Sequence, residues 1–204
     1  MQITSNTFGG RKVIWDNILD EIPGGAGLNV SRLDYTKANA NVDKRWIPGG
    51  TPVYFDPATR IAEVCKSALA IDGGGSTTPR LGKEHHFKVG DILNDGTTGA
   101  VITAIDESES AYDVATVNTD ITVTAGTKYF EGAASGTDAT LKYTPNGVIK
   151  SPEWIYDGNA DVPVVTMGTA REDSLTYPMP DVYKIALRGG ASQTASSKTL
   201  VNVF

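Results

Sequence analysis

Short apolar stretches separated by turn residues fill most of the chain, and Ile47-Pro-Gly-Gly-Thr-Pro-Val-Tyr-Phe55 is the one around which the others are arranged. An apolar residue leads into a small-residue turn, a Thr follows, and a β-branched and aromatic run begins. Much the same text returns as Val123-Thr-Ala-Gly-Thr-Lys-Tyr-Phe130, shorter by one residue between the Thr and the Phe. Glycine turns the backbone without a Cβ penalty, and the residues after it suit a pleated, half-buried surface. The two stretches predict a repeated β-unit.

Before the first copy, Val13, Ile14, Trp15, Ile18, Leu19 and Ile22 take the spacing of a short amphipathic helix over Arg11–Ile22, stopped by Pro23-Gly24-Gly25. This segment is either a helix packed on the end of the domain or an arm that lies on a partner. The polar stretch Ala38–Arg45 carries no period. Pro52–Asp56 reads as a strand, Asp56-Pro57-Ala58-Thr59 as a type I turn and Arg60–Lys66 as the returning strand. Ile61, Val64, Cys65, Ala68 and Leu69 also fit a helical template. The hairpin is preferred because Ala139–Thr144, the matching stretch of the second copy, alternates like a strand and ends at Pro145-Asn-Gly147.

Asp72–Pro79 is Gly-rich and polar, which predicts a flexible loop. Beyond it, Phe87–Leu93, Ala100–Asp106, Tyr112–Val117 and Ile121–Val123 read as strands, with a turn at Asn94-Asp-Gly96. Val162–Met167 and Val182–Leu187 extend the series, and the prolines of Tyr177-Pro-Met-Pro180 suit strand ends at a sheet edge. The small polar residues of 191–198 predict a mobile loop, and Leu200–Phe204 is an edge strand or a tail for a neighbouring subunit. The expected architecture is mainly β: a small barrel or sandwich of repeated hairpin units with a short N-terminal helix or arm. Residues 1–46 form the arm or helical segment, 47–150 the barrel-like core with its repeat, and 151–204 the strands and tail that complete the core or a subunit interface.

A chain of 204 residues is long enough for one generous β domain or two small ones. Cys65 is the single cysteine, so an intrachain disulfide and a cysteine metal cluster are both excluded. Net charge is −6 and basic residues nowhere gather with aromatics, which argues against a nucleic-acid partner. Met1–Phe8 lacks the basic start and apolar run of a secretory signal, and no run approaches the roughly 18 apolar residues of a membrane span. The product is expected to be soluble and made without a targeting peptide.

Candidate chemistry is thin. His85 and His86 are adjacent, so on a strand they point to opposite faces and do not converge on one metal; they are expected at the surface or rim. Gly82-Lys83 follows a Gly-rich loop, but Thr77 and Glu84 stand where a P-loop needs Gly and Ser or Thr. Asp106-Glu-Ser-Glu109 lacks the Gly and ligand alternation of a calcium loop and reads as a solvated turn. No Gly-x-Ser-x-Gly elbow occurs, and Cys65 lies in an apolar pattern that predicts a buried, inert thiol. Asn29-Val-Ser31 matches a glycosylation acceptor, and with no targeting peptide expected the match is read as chance. Trp15, Trp46 and Trp154 are read as core and interface anchors in preference to a sugar platform. No catalytic, cofactor-binding or metal-binding residue is assigned.

Ile47–Leu69, joined to Phe87-Lys-Val-Gly-Asp-Ile-Leu93 and Ala100-Val-Ile-Thr-Ala-Ile-Asp106, resembles virion accessory proteins of tailed phages. More narrowly, it is similar to head-fibre or capsid-decoration proteins of phages and prophages of gut Bacteroidetes. The likeness covers about residues 45–150 and consists of the Gly-Thr-Pro-Val start, the Val-Gly-Asp strand and the alternating Ile-Thr-Ala-Ile-Asp strand. It implies a non-enzymatic protein, without cofactor, that binds the outside of a capsid shell and either clamps the lattice or carries a fibre. The major capsid protein and further copies of the chain, as a trimer, are the implied partners, with assembly in the bacterial cytoplasm. Residues 1–46 are then the candidate docking arm, with Trp15 and Ile18 as anchors beside Leu19 and Trp46. The alternative is a carbohydrate-binding or adhesion module that touches a surface glycan.

Overall fold

Val, Ile and aromatic residues at alternate positions give two β units that share one set of crossing points. The computed structural model describes residues 7–8, 11–12, 14–35, 45–137, 140–155, 160–189 and 200–203. Strands β1 (Thr7–Phe8) and β2 (Arg11–Lys12) pair with each other, and β3 (Trp15–Glu21), β4 (Ala26–Leu28), β5 (Trp46–Ile47), β6 (Pro52–Asp56) and β7 (Ile61–Val64) follow. The next six are β8 (Ser67–Gly75), β9 (Thr78–Gly82), β10 (Ile92–Asn94), β11 (Gly99–Asp106), β12 (Tyr112–Val117) and β13 (Lys128–Glu131). After them come β14 (Gly147–Ile149), β15 (Glu153–Trp154), β16 (Asp161–Val162), β17 (Val164–Ala170), helix α1 (Asp181–Leu187) and β18 (Leu200–Val203).

Strands β8 to β13 close into a six-stranded barrel in the order β10-β11-β12-β9-β8-β13. Leu81, Phe87, Leu93, Ile102, Ala115 and Tyr129 fill it. The strands on either side of this insertion form an eight-stranded sheet, β16-β4-β7-β6-β14-β17-β18, with β3 on the other edge of β17. Adjacent sheet residues alternate between two cores: Val53, Ile149 and Val164 face one, while Val148 and Val165 face the other beside Tyr183, Leu187 and Val201. That alternation is the period of two expected of a sheet buried on both faces.

The mainly β architecture with a barrel is as the sequence predicts, and so is the β6–β7 hairpin, which pairs Val53 with Val64 and Asp56 with Ile61. Five elements differ. Arg11–Ile22 is not a helix: β3 pairs along β17, and this ladder overrides a helical period that the isolated segment satisfies equally well. Asp72–Pro79 is not a loop, because β8 runs to Gly75 and β9 starts at Thr78. Its glycines allow close approach: a Cβ on Gly74 would lie 2.7 Å from the Arg80 nitrogen. Val182–Leu187 is helical, with Tyr183, Ala186 and Leu187 buried at i, i+3 and i+4 and Ile185 exposed. Finally, Phe87–Leu93 is strand only from Ile92, and Ile121–Val123 is irregular.

The repeat is a turn, not a hairpin. Gly50 and Gly126 take φ of +86° and +85°, and the next residue's N–H closes each turn, Thr51 onto the Pro48 oxygen and Thr127 onto the Thr124 oxygen. A strand starts immediately after, β6 in the sheet and β13 in the barrel. The copies then diverge: Thr140–Thr144 forms no strand, only a bridge between Leu141 and Gly132, and residue 139 lies outside the described residues. Most of Ala38–Arg45 and all of 191–198 lie outside them too. Leu200–Val203 is an edge strand on its own chain's β17.

Candidate functional site

The chain crosses from sheet to barrel at Cys65–Lys66 and leaves the barrel after Glu131, and these crossings touch: the Glu131 N–H donates to the Lys66 oxygen at 3.0 Å. Both side chains are buried, at 0 % and 1 % exposure. Charged groups survive there because each meets its opposite. Arg32, from a 3-10 turn at Val30–Arg32, donates Nη2 to both Glu131 oxygens at 2.8 and 2.7 Å and Nη1 to Glu63 at 2.7 Å. Lys142 Nζ reaches Glu131 at 2.6 Å, and Lys66 Nζ reaches Asp91 at 2.5 Å and Glu131 at 3.9 Å. The Arg32 guanidinium also lies 4.3 Å from the centre of the Tyr143 ring.

Burial opposes the charge of Arg32, but Glu131 and Glu63 outweigh it and hold the guanidinium more firmly protonated than usual. Lys66 shows the reverse balance, its pKa lowered by burial despite Glu131 and Asp91. Neighbouring hydroxyls complete the joint: Tyr183 donates to the Lys66 oxygen at 2.9 Å, and the Ser67 N–H donates to the Tyr177 hydroxyl at 3.1 Å. Cys65 is buried as expected, and burial raises the pKa of its thiol, which leaves it a poor nucleophile.

The histidines are not at the surface or rim; both are buried. His85 Nδ1 accepts from the Phe87 N–H at 3.2 Å, so the ring proton sits on Nε2, which donates to Asp113 Oδ2 at 2.9 Å. Lys83 binds the other oxygen of Asp113. His86 points the opposite way, pairing Nδ1 with the Asp34 oxygen at 2.7 Å and stacking on Tyr177 at 5.9 Å between centroids. Segment 83–87 thus fastens the barrel with one imidazole and the sheet with the next. The opposite orientation was legible; the burial was not, because nothing in Glu84-His-His-Phe87 shows that both sides of this segment are covered. Among the described residues, no group of three or more His, Cys, Asp or Glu side chains is placed to hold a metal ion.

The four candidate docking residues fall into two groups. Trp15, Ile18 and Leu19 lie on β3. Trp15 is half-buried, its indole N–H donating to the Lys150 oxygen at 2.8 Å, and Ile18 packs against the core beneath. Leu19 is 66 % exposed and borders a shallow depression of 410 Å³ with Ile18, Asp20, Glu21 and Lys150. Trp46 lies elsewhere, on the two-stranded β5–β15 ribbon, opposite Trp154. Their rings meet edge to face at 4.9 Å and 63°, with Trp154 40 % exposed, so they do not present one flat stacking surface. Trp154 pairs with a docking candidate that sequence reasoning did name. Lys66 and Glu131 were missed, although a charge inside each of the apolar runs Val64–Leu69 and Tyr129–Glu131 was the available signal.

Among the described residues, no helix is long and apolar enough to cross a membrane. The chain matches no family model, no curated protein and no solved structure.

Proposed function

We propose that this chain is a structural virion protein that sits on the outer surface of a phage capsid as a decoration or head-fibre protein and performs no chemistry of its own. The observation that carries the reading is the use made of its buried charges. Arg32, Lys66 and Asp91 tie the turns at the crossing between sheet and barrel to Glu63 on β7 and Glu131 on β13, and Lys83 and His85 tie the segment after β9 to Asp113 on β12. In an enzyme such groups converge on a cleft that admits a substrate. Here they consolidate a rigid support, while Leu19 and Trp154 face outward. The resemblance over residues 45–150 points the same way. Assembly as a trimer would multiply weak contacts to a repeating shell.

Co-sedimentation with purified capsids lacking this protein, together with light scattering of the free chain, tests the reading. Saturable binding by an oligomer is expected; a strict monomer that leaves capsids bare overturns it. A carbohydrate-binding role is the second reading, favoured by the exposure of Trp154. A specific glycan-array signal abolished by Trp154→Ala would establish it in place of the first.

A further inference from the structure

Strand β3 does not run straight along β17. Asp20 stands opposite Met167 and Ile18 opposite Gly168, so Leu19 between them has no partner and forms a β-bulge. Asp16 is a second such residue, between Asn17 opposite Thr169 and Trp15 opposite Ala170. A bulge re-aims the side chain it carries, and the side chain here is a leucine left 66 % exposed. The backbone is fitted to this course, since a Cβ on Gly168 would lie 2.6 Å from the Asn17 oxygen.

The surroundings of Leu19 are acidic. Asp16, Asp20 and Glu21 share β3 with it, and Glu172 and Asp173 line a second depression with Asp16. Lys150 pairs with Glu21 at 2.7 Å, Arg171 with Asp16 at 2.6 Å, and Lys128 and Lys184 with Glu172 at 2.5 and 2.9 Å, while Asp20, beside Leu19, accepts among the described residues only from the Thr166 hydroxyl at 2.9 Å and carries the excess negative charge. Among the described residues, β3 pairs with β17 alone, so its other edge is open. A second copy is a poor occupant of that edge. Antiparallel pairing centred on Ile18 would set Asp16 against Asp20 of the other copy, and like charges directly opposed are destabilising. A positively charged surface meets no such penalty.

We propose that the bulge makes Leu19 a docking knob, inserted into an apolar socket on a partner protein whose rim carries Lys and Arg side chains facing Asp16, Asp20 and Glu21. This rests on the capsid reading above and names the chemistry that the capsid surface must offer. Trp15 and Ile18 are then positioning residues: they anchor β3 on its own core, and Leu19 makes the contact. The carboxylates steer and orient the encounter, so binding weakens as salt screens them.

The experiment measures co-sedimentation of wild type, Leu19→Ala, Leu19→Arg and Val89→Arg with capsids purified without this protein, at low and high salt. Val89 is comparably exposed, on the barrel, and serves as the control. Leu19→Arg is expected to lose about tenfold or more in affinity, as a buried interface anchor does, with Leu19→Ala intermediate and Val89→Arg unchanged. Thermal unfolding of all four should coincide. Equal binding by wild type and Leu19→Arg overturns the knob while leaving the capsid reading intact, as does binding by wild type that does not weaken with salt. Wild type that leaves capsids bare overturns both.

Discussion

Arg32 grips Glu131 through one nitrogen, Nη2, which lies 2.8 and 2.7 Å from the two carboxylate oxygens. The contact joins the turn after β4 to the last barrel strand across 99 residues of sequence. Glu131→Gln would remove the counter-charge that Arg32 and Lys66 share, leaving Glu63 to the first and Asp91 to the second, a change expected to cost about 1.5–3 kcal/mol. Urea unfolding of the variant should show a midpoint well below that of wild type. A loss under about 1 kcal/mol, the range of exposed pairs, would mean that packing alone holds the crossing.

Asp95 sets an acid limb. Burial raises its pKa, but hydrogen bonds from Thr122, Thr98 and Thr97 outweigh burial and bring it down to about 2 from the usual 3.8. A depressed carboxylate stabilises the fold fully above its unfolded value and loses that contribution as pH falls through the folded one. The window is therefore pH 3.8 down to 2. Asp95→Asn should unfold more easily at neutral pH, by about 1 kcal/mol given its partial exposure, and its stability should fall less steeply with acid. Parallel acid limbs for the two proteins would contradict this assignment.

The two repeated turns allow a paired comparison. A Cβ at Gly126 meets nothing within 4 Å, so Gly126→Ala should cost only the left-handed backbone strain, about 1–2 kcal/mol. At Gly50 the same atom would lie 2.3 Å from Leu175 Cδ2, so Gly50→Ala should cost more. Denaturation midpoints that coincide would show that Leu175 moves aside freely.

His85 should carry its proton on Nε2 near neutrality, because the Phe87 N–H occupies Nδ1. Long-range nitrogen–proton NMR correlations distinguish the two tautomers directly. A protonated Nδ1 would mean that the Phe87 contact is not made in solution.

The hairpin at Pro52–Val64 was legible because Asp56-Pro-Ala-Thr59 is a local turn signal and the returning strand is buried at alternate positions, Ala62 and Val64. Strand β3 and helix α1 were not, for opposite reasons. Arg11–Ile22 has a helical period, and β17, about 150 residues away, decides the matter by offering an edge. Val182–Leu187 is rich in β-formers, yet Pro180 starts a helix whose buried residues fit the groove beside β18. Leu19 was named from its hydrophobicity, but its exposure depends on a bulge that only the partner strand reveals. Lys66 and Glu131 were overlooked: each is a charge beside apolar residues, but their pairing requires the fold to bring positions 32, 66, 91 and 131 together.

Ala170 stands opposite both Trp15 and Val203, so the first residue of β3 and the last of β18 flank one residue of β17. Tension applied between Trp15 and Val203 would act across the strands instead of along them. It would open the β3–β17–β18 ladder one pair at a time from that end, never loading all its hydrogen bonds together. The sheet would peel at low force there, while the barrel, with no free edge, would not share the load.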